Sequence, residues 1–159
     1  MPVMNTDLKS QITSTSSSNT ERIAAQIGKN LHGGEVIELV SDLGGGKTVF
    51  VKGLASGAGS KDDVTSPTFT ISKIYNCSKF AIHHFDFYRL SDPGVVALEL
   101  KEVMQDPKIV VAIEWANIVD NVLPADRLRV EIAQTGNDSR ILKICYPANL
   151  SYLIKGVNA

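Results

Sequence analysis

Apolar residues recur along this chain with two different periods, and the switching between them predicts an α/β fold. Ile23, Ala24, Ile27 and Leu31 fall at helical spacing. Thr20 stands where an N-cap belongs, Glu21 follows in the first turn, and Gly33-Gly34 stops the helix. Residues 35–41 (EVIELVS) form a short apolar run rich in β-branched side chains, which predicts a strand. A second helical pattern follows, with Val49, Phe50, Gly53, Leu54 and Ala58 on one side, ending near residues 57–59. After a polar loop over 60–67, runs at 69–75 and 79–88 read as strands, and Asn76-Cys77-Ser78 is short enough to make them a hairpin. Val96, Leu98, Leu100, Val103 and Met104 predict a helix after Pro93, and 109–113 is a wholly apolar strand ending in Glu114-Trp115. Alternating runs at 127–133 and 140–146, separated by Thr135-Gly136-Asn137-Asp138, predict a closing antiparallel pair. One βα crossover combined with hairpins makes the sheet mixed and flanked by helices.

Composition narrows this picture at the N-terminus. Residues 10–19 are mostly Ser and Thr, with Ile12 the one large apolar group, so they cannot bury enough surface to fold alone. Residues 1–19 are therefore expected to be an arm, either loose or packed only against something else, ahead of a single domain over 20–159. The chain has 159 residues, a one-domain length, with 43% hydrophobic and 21% charged residues. A formal net charge of -1 argues against holding nucleic acid through the chain's own electrostatics. Cys77 and Cys145 are too few for a disulfide framework or a zinc cage and are expected to be reduced. No run is long and apolar enough to span a bilayer, and no secretory signal opens the chain, so the cytoplasm is the expected location.

The chemistry concentrates where the first strand meets the second helix, at Asp42-Leu43-Gly44-Gly45-Gly46-Lys47-Thr48. Phosphates carry concentrated negative charge and need several donors at close range. Glycines let backbone N–H groups turn inward as a nest, and the helix that follows adds its positive end. Lys47 can reach β and γ phosphates, and the Thr48 hydroxyl can join the shell of Mg²⁺. Ser41 stands where the P-loop consensus has its first Gly. The alternative, a glycine-rich connector, is disfavoured by three glycines followed by Lys-Thr between a strand and a helix.

A P-loop calls for an acid at the end of a nearby apolar strand, and 109–114 (IVVAIE) supplies Glu114. A second acid, Asp86, lies in 84–89 (HFDFYR), where alternation puts His84, Asp86 and Tyr88 on one face. Its carboxylate could orient an attacking water or bind the metal's outer shell. Alternatively it caps a turn or pairs with Arg89. The tandem His83-His84 reads as structural, because no third soft ligand sits at suitable spacing.

Four segments then line up in order: 41–53 (SDLGGGKTVFVKG), 66–71 (SPTFTI), 84–90 (HFDFYRL) and 113–115 (IEW). Together they resemble the TsaE (YjeE) family over roughly residues 20–145. The resemblance implies a small P-loop ATPase that works with TsaD and TsaB in tRNA threonylcarbamoyladenosine synthesis and meets tRNA only through that complex. It implies ATP and Mg²⁺ as cofactors. Residues 42–49 (Asp42, Leu43, Gly44, Gly45, Gly46, Lys47, Thr48 and Val49) would cradle the nucleotide, and Thr48 and Glu114 would hold the metal. Asp86 would assist hydrolysis alongside Lys47 and Glu114. Thr65, Ser66 and Thr68 would belong to a switch-like loop, and Trp115 would lie beside the site. Residues 19–21 would approach the adenine, and Arg140 the nucleotide from the other side. Ser41, Val49 and Ala116-Asn117 depart from the family pattern.

Three other classes share the P-loop. A small-molecule kinase needs an arginine-rich lid, and the four arginines after the loop (Arg89, Arg127, Arg129 and Arg140) form none. A GTPase needs a base-reading N-K-x-D, whereas 117–120 (NIVD) lacks the lysine. A regulator that binds nucleotide without hydrolysing it would use the same loop.

Overall fold

The computed structural model describes residues 7–42, 46–65 and 72–159. The expectations for Leu43, Gly44, Gly45, Ser66 and Thr68 lie outside these residues. Seven strands form one mixed sheet: β1 (Leu8–Ser14), β2 (Val36–Val40), β3 (Ser72–Asn76), β4 (Ala81–Asp86), β5 (Ile109–Glu114), β6 (Leu128–Gln134) and β7 (Arg140–Tyr146). Their spatial order is β1-β7-β6-β2-β5-β4-β3. The four central strands β6, β2, β5 and β4 run parallel to one another, and antiparallel pairs close both edges. The single α/β P-loop NTPase-like domain with a mixed sheet is thus the observed architecture.

Alternation along the central strands sorts the two faces. Ile82, Val110, Ala112, Ile37, Leu39, Leu128 and Val130 join one buried cluster with α1 (Ser17–Asn30) and α2 (Lys47–Gly57). Phe85, Val111 and Ile113 join another with Leu100 of α3 (Gly94–Val103) and with Ala116 and Val119 of the 3₁₀ segment Ala116–Val122. Each large aliphatic side chain buried this way contributes about 1.5–3 kcal/mol. His84 and Asp86 of β4, in step with Ile82, and Glu114 of β5, in step with Val110 and Ala112, therefore belong to the α1–α2 face.

The N-terminal segment corrects the sequence reading. Residues 8–14 are ordered as an edge strand in seven-residue register with β7. Backbone hydrogen bonds of the ladder hold this polar strand, so apolar content was a poor guide to its order. The helix begins earlier than expected. Ser16, not Thr20, is the N-cap, its Oγ accepting from the Asn19 N–H at 3.0 Å. Thr20 is fully buried and shares a 2.6 Å hydrogen bond with Ser14 Oγ. The boundary expected between residues 19 and 20 thus falls inside α1.

At the opposite end of β2, the Glu35 carboxylate accepts from the His32 and Gly33 N–H groups and from Tyr152 Oη. This ties the C-terminal 3₁₀ segment Ala148–Ile154 to the turn before the sheet. Both cysteines are free, as expected. No helix among the described residues is long and apolar enough to cross a membrane.

Candidate active site

Three parallel strands deliver the candidate residues to one edge of the sheet. β2 ends at Val40 and leads through Ser41 and Asp42 toward α2, while β4 ends at Asp86 and β5 at Glu114. Asp86 and Glu114 are register partners, and Glu114 is also paired with Leu39 of β2. Crevices at the carboxyl edge of parallel strands are where open α/β sheets carry their chemistry.

Gly46 opens α2 with φ 99°, a left-handed conformation that suits glycine. Lys47 occupies the first helical turn and is buried. Its Nζ donates to the Ser41 carbonyl at 3.0 Å and to the Asp42 carbonyl at 3.4 Å. It also lies 4.6 Å from the centre of the Trp115 ring, a cation–π distance. Thr48 and Val49 follow in the same turn, both half-buried.

Trp115 takes φ 58° and ψ 51°, the one positive-φ non-glycine among the described residues. Such a conformation costs about 1–3 kcal/mol and is held only where the surroundings demand it. Here the turn from β5 into the 3₁₀ segment lays the indole against Lys47, with the Tyr88 ring 5.0 Å from it. Trp115 therefore stands beside Lys47.

Glu114 is buried, and its Oε2 accepts from His84 Nε2 at 2.6 Å. Asp86 is half-buried and its Oδ1 accepts from the Tyr88 N–H at 3.0 Å. Among the described residues the considered Asp86–Arg89 ion pair does not form, and the turn-capping alternative is the one observed. Burial pushes the Asp86 carboxyl above the ordinary carboxylate range. The Tyr88 N–H pulls it back, Glu114 pushes it up further, and His84 and Lys47 oppose that rise.

This shift has a consequence for stability. A raised native pKa means that the folded chain binds the Asp86 proton more tightly than the unfolded chain. Stability from this group is therefore present at low pH and is lost as pH rises through the carboxylate range. Asp86→Asn, whose amide oxygen can still accept from Tyr88, is expected to raise the melting temperature at pH 7. The gain should shrink as pH falls through the carboxylate range. Thermal denaturation across pH checks this, and a lower melting temperature at pH 7 would contradict it.

Arg140, at the start of β7, reaches the N-terminus of α2. It is buried, its Nη1 donates to the Asp138 carbonyl at 3.0 Å, and its buried Nε has no hydrogen-bond partner among the described residues. A Cβ built on Gly46 would lie 2.9 Å from that Nε. The guanidinium is thus packed against the N-terminus of α2. Because Ser14 pairs with Arg140 across the β1–β7 ladder, the start of α1, including Asn19, Thr20 and Glu21, is brought near this corner.

The structure therefore brings together Asp42, Gly46, Lys47, Thr48, Asp86, Glu114, Trp115 and Arg140. Sequence reasoning read His84 as structural and did not anticipate its contact with Glu114. The available signal was the i, i+2 spacing from Asp86, which puts both on the face carrying Glu114. Among the described residues no group of three or more His, Cys, Asp or Glu side chains could hold a metal ion. A hydroxyl and one carboxylate, as at Thr48 and Glu114, instead match the sparse protein coordination that Mg²⁺ accepts when phosphates and water complete its shell. The two cations and the orphaned Arg140 donor at a helix N-terminus fit a phosphate group.

Fold and site together define a P-loop NTPase-like domain. Residues 14–142 match the family model for threonylcarbamoyl adenosine biosynthesis protein TsaE, and the chain belongs to that family. A tRNA threonylcarbamoyladenosine biosynthesis protein TsaE from Bacillus subtilis is 41% identical over 107 residues, spanning 67% of this chain and 66% of that protein. The protein of the same description from Treponema pallidum is 32% identical over 132 residues, covering 82% of this chain and 96% of the relative. Among solved structures, crystalline YdiB from Bacillus subtilis superposes with a TM-score of 0.75 at 29% identity, covering 95% of each chain.

Proposed function

We propose that this chain is the Mg²⁺-dependent, ATP-hydrolysing component of a cytoplasmic tRNA N6-threonylcarbamoyladenosine-forming machinery. It acts with TsaB and TsaD homologues and meets tRNA only through them. The observation that carries the reading is the convergence of Lys47, Glu114 and Asp86 at the mouth of α2.

In this reading the backbone over 42–49 and the Lys47 ammonium bind the phosphates. Lys47 exchanges two neutral carbonyl partners for charged oxygens, which make stronger hydrogen bonds. Thr48 and Glu114 hold Mg²⁺, which neutralises phosphate charge when bound. Arg140 adds a second cation, and Thr68 is the residue that would sense the γ-phosphate. Asp86 orients water for attack on the γ-phosphorus. The new P–O bond forms as the bond to the β–γ bridging oxygen breaks, releasing ADP and inorganic phosphate. A carboxyl raised above its ordinary range is a better acceptor for the water's proton than a free carboxylate.

The test is ATP hydrolysis by the purified chain in Mg²⁺, alone and with the TsaB–TsaD pair of the same organism. Slow turnover alone and at least about 10-fold stimulation by the pair is expected, a barrier change of about 1.4 kcal/mol. No stimulation by folded partners would overturn the partnered role. Binding without any turnover would point to the nucleotide-binding regulator instead, and turnover that required a metabolite acceptor would point to a kinase.

A further inference from the structure

We infer that His84 is a positioning residue that fixes the Glu114 carboxylate for metal-dependent work; this rests on the function proposed above. His84 is paired with Ala112 across β4 and β5, so Glu114 lies on its diagonal along the same sheet face. The imidazole spans that diagonal. Nε2 lies 2.6 Å from Glu114 Oε2, with both side chains almost wholly buried at 0% and 4% exposure. The Tyr75 ring is 6.2 Å from the imidazole, and Tyr75 is itself buried and tethered by its hydroxyl to the Thr65 carbonyl. The His84 ring is fully buried, so its orientation is set by its protein surroundings rather than by solvent.

A carboxylate only accepts hydrogen bonds, so Nε2 must carry the proton that Oε2 receives. Nδ1 is buried and has no partner among the described residues. A histidine retained only for packing gains nothing from a buried polar atom left unpaired, and an apolar ring would fill the space without that cost. What the imidazole adds is the single N–H that holds Oε2. That bond leaves Oε1 as the oxygen not engaged by His84. A ligand carboxylate held by a neighbour keeps its orientation when the metal arrives, whereas a free one must lose rotamer freedom.

Two substitutions separate positioning from packing. His84→Phe keeps an aromatic ring but removes the donor, and His84→Gln keeps an N–H donor but fills less space. ATP binding is measured by calorimetry in EDTA and across a Mg²⁺ titration, and hydrolysis is measured with the partner pair, with Glu114→Gln as reference. His84→Phe is expected to bind ATP in EDTA as the wild type does. It should need at least about 10-fold more Mg²⁺ and lose at least about 10-fold in kcat, in the direction of Glu114→Gln. His84→Gln should recover most of both. In the wild type, ring ¹⁵N–¹H correlations should show His84 protonated on Nε2.

A folded His84→Phe with wild-type Mg²⁺ dependence would overturn the positioning role while leaving the proposed function standing. If His84→Phe does not fold, a His84→Gln variant no better than His84→Asn, whose shorter amide cannot span the diagonal, would overturn it equally. A wild-type chain whose ATP affinity ignores Mg²⁺ while Glu114→Gln changes nothing would overturn the proposed function as well.

Discussion

Lys47→Ala lowers ATP affinity by at least about 100-fold in calorimetry. Each hydrogen bond to a charged group contributes about 1.5–3 kcal/mol, and an ammonium that reaches two phosphates makes at least two. Against this stands what Lys47 gives up on moving: the Ser41 and Asp42 carbonyls and the face of Trp115. The two carbonyl bonds also start from the ammonium and largely offset the two phosphate bonds, and the cation–π contact contributes about 0.5–1 kcal/mol. The surplus comes from the phosphate charge. An ion pair about 4 Å apart contributes about 4 kcal/mol at an effective dielectric of about 20, which leaves about 3 kcal/mol, the 100-fold. The variant should stay folded, because Ser41 is half-exposed and Asp42 exposed, so water can replace Nζ at both carbonyls. Trp115, the chain's single tryptophan, offers a second readout. Binding that draws the ammonium off the indole should change its emission in the wild type and not in the variant. Near-normal affinity in Lys47→Ala would remove the phosphate-binding assignment.

Gly57→Ala is expected to destabilise the fold by about 3 kcal/mol, although helix propensity alone favours the change by about 1 kcal/mol. The sign is decided by how closely α1 and α2 approach. A Cβ on Gly57 would lie 2.0 Å from the Ala25 carbonyl oxygen, and one on Gly53 would lie 2.1 Å from that of Glu21. Gly28 meets the reverse contact, 2.2 Å from the Leu54 carbonyl oxygen. The obstructing atoms are backbone within helices, so relief requires the two helices to separate. Separation would loosen Ile23, Ile27, Phe50 and Leu54, all fully buried between them and the sheet. At about 2–4 °C per kcal/mol for a domain of this size, the melting temperature should fall by about 6–12 °C. Gly136→Ala is the control. Its Cβ would meet nothing closer than 3.9 Å, and its stability should be unchanged. An unaltered melting temperature for Gly57→Ala would show that α1 and α2 can part without cost. Because α2 begins at Gly46 and Lys47, the same tight crossing holds the mouth of the site in place.

Much of the molecule is written in local patterns. Residues 140–146 alternate and are observed as β7 over Arg140–Tyr146, and the apolar run at 109–114 is observed as β5 over Ile109–Glu114. These signals survive because period and burial are properties of neighbouring residues. The glycine-rich strand-to-helix junction before Lys47 is local in the same sense, and so is the acid closing an apolar strand at Glu114. By contrast, β1 carries little apolar signal, because an edge strand is held by main-chain hydrogen bonds that any sequence can make. Thr20 reads as a cap from its type, yet the chain caps on Ser16 and buries Thr20 against Ser14, a choice set by the β1–α1 corner.

By itself, then, the sequence determined the order and type of most elements, the chemical types at the strand ends and the family, since each depends on residues close together in the chain. Tertiary structure alone decided the pairings. Parallel register set Asp86 beside Glu114 from 28 positions away, and the diagonal across β4 and β5 aimed His84 at the Glu114 carboxylate. The β1–β7 ladder and the Gly46 turn brought Arg140 to the helix mouth, and a left-handed backbone at Trp115 laid the indole on Lys47. Such contacts depend on strand order and helix approach, which are settled by packing the whole core and leave no trace in any short window of residues.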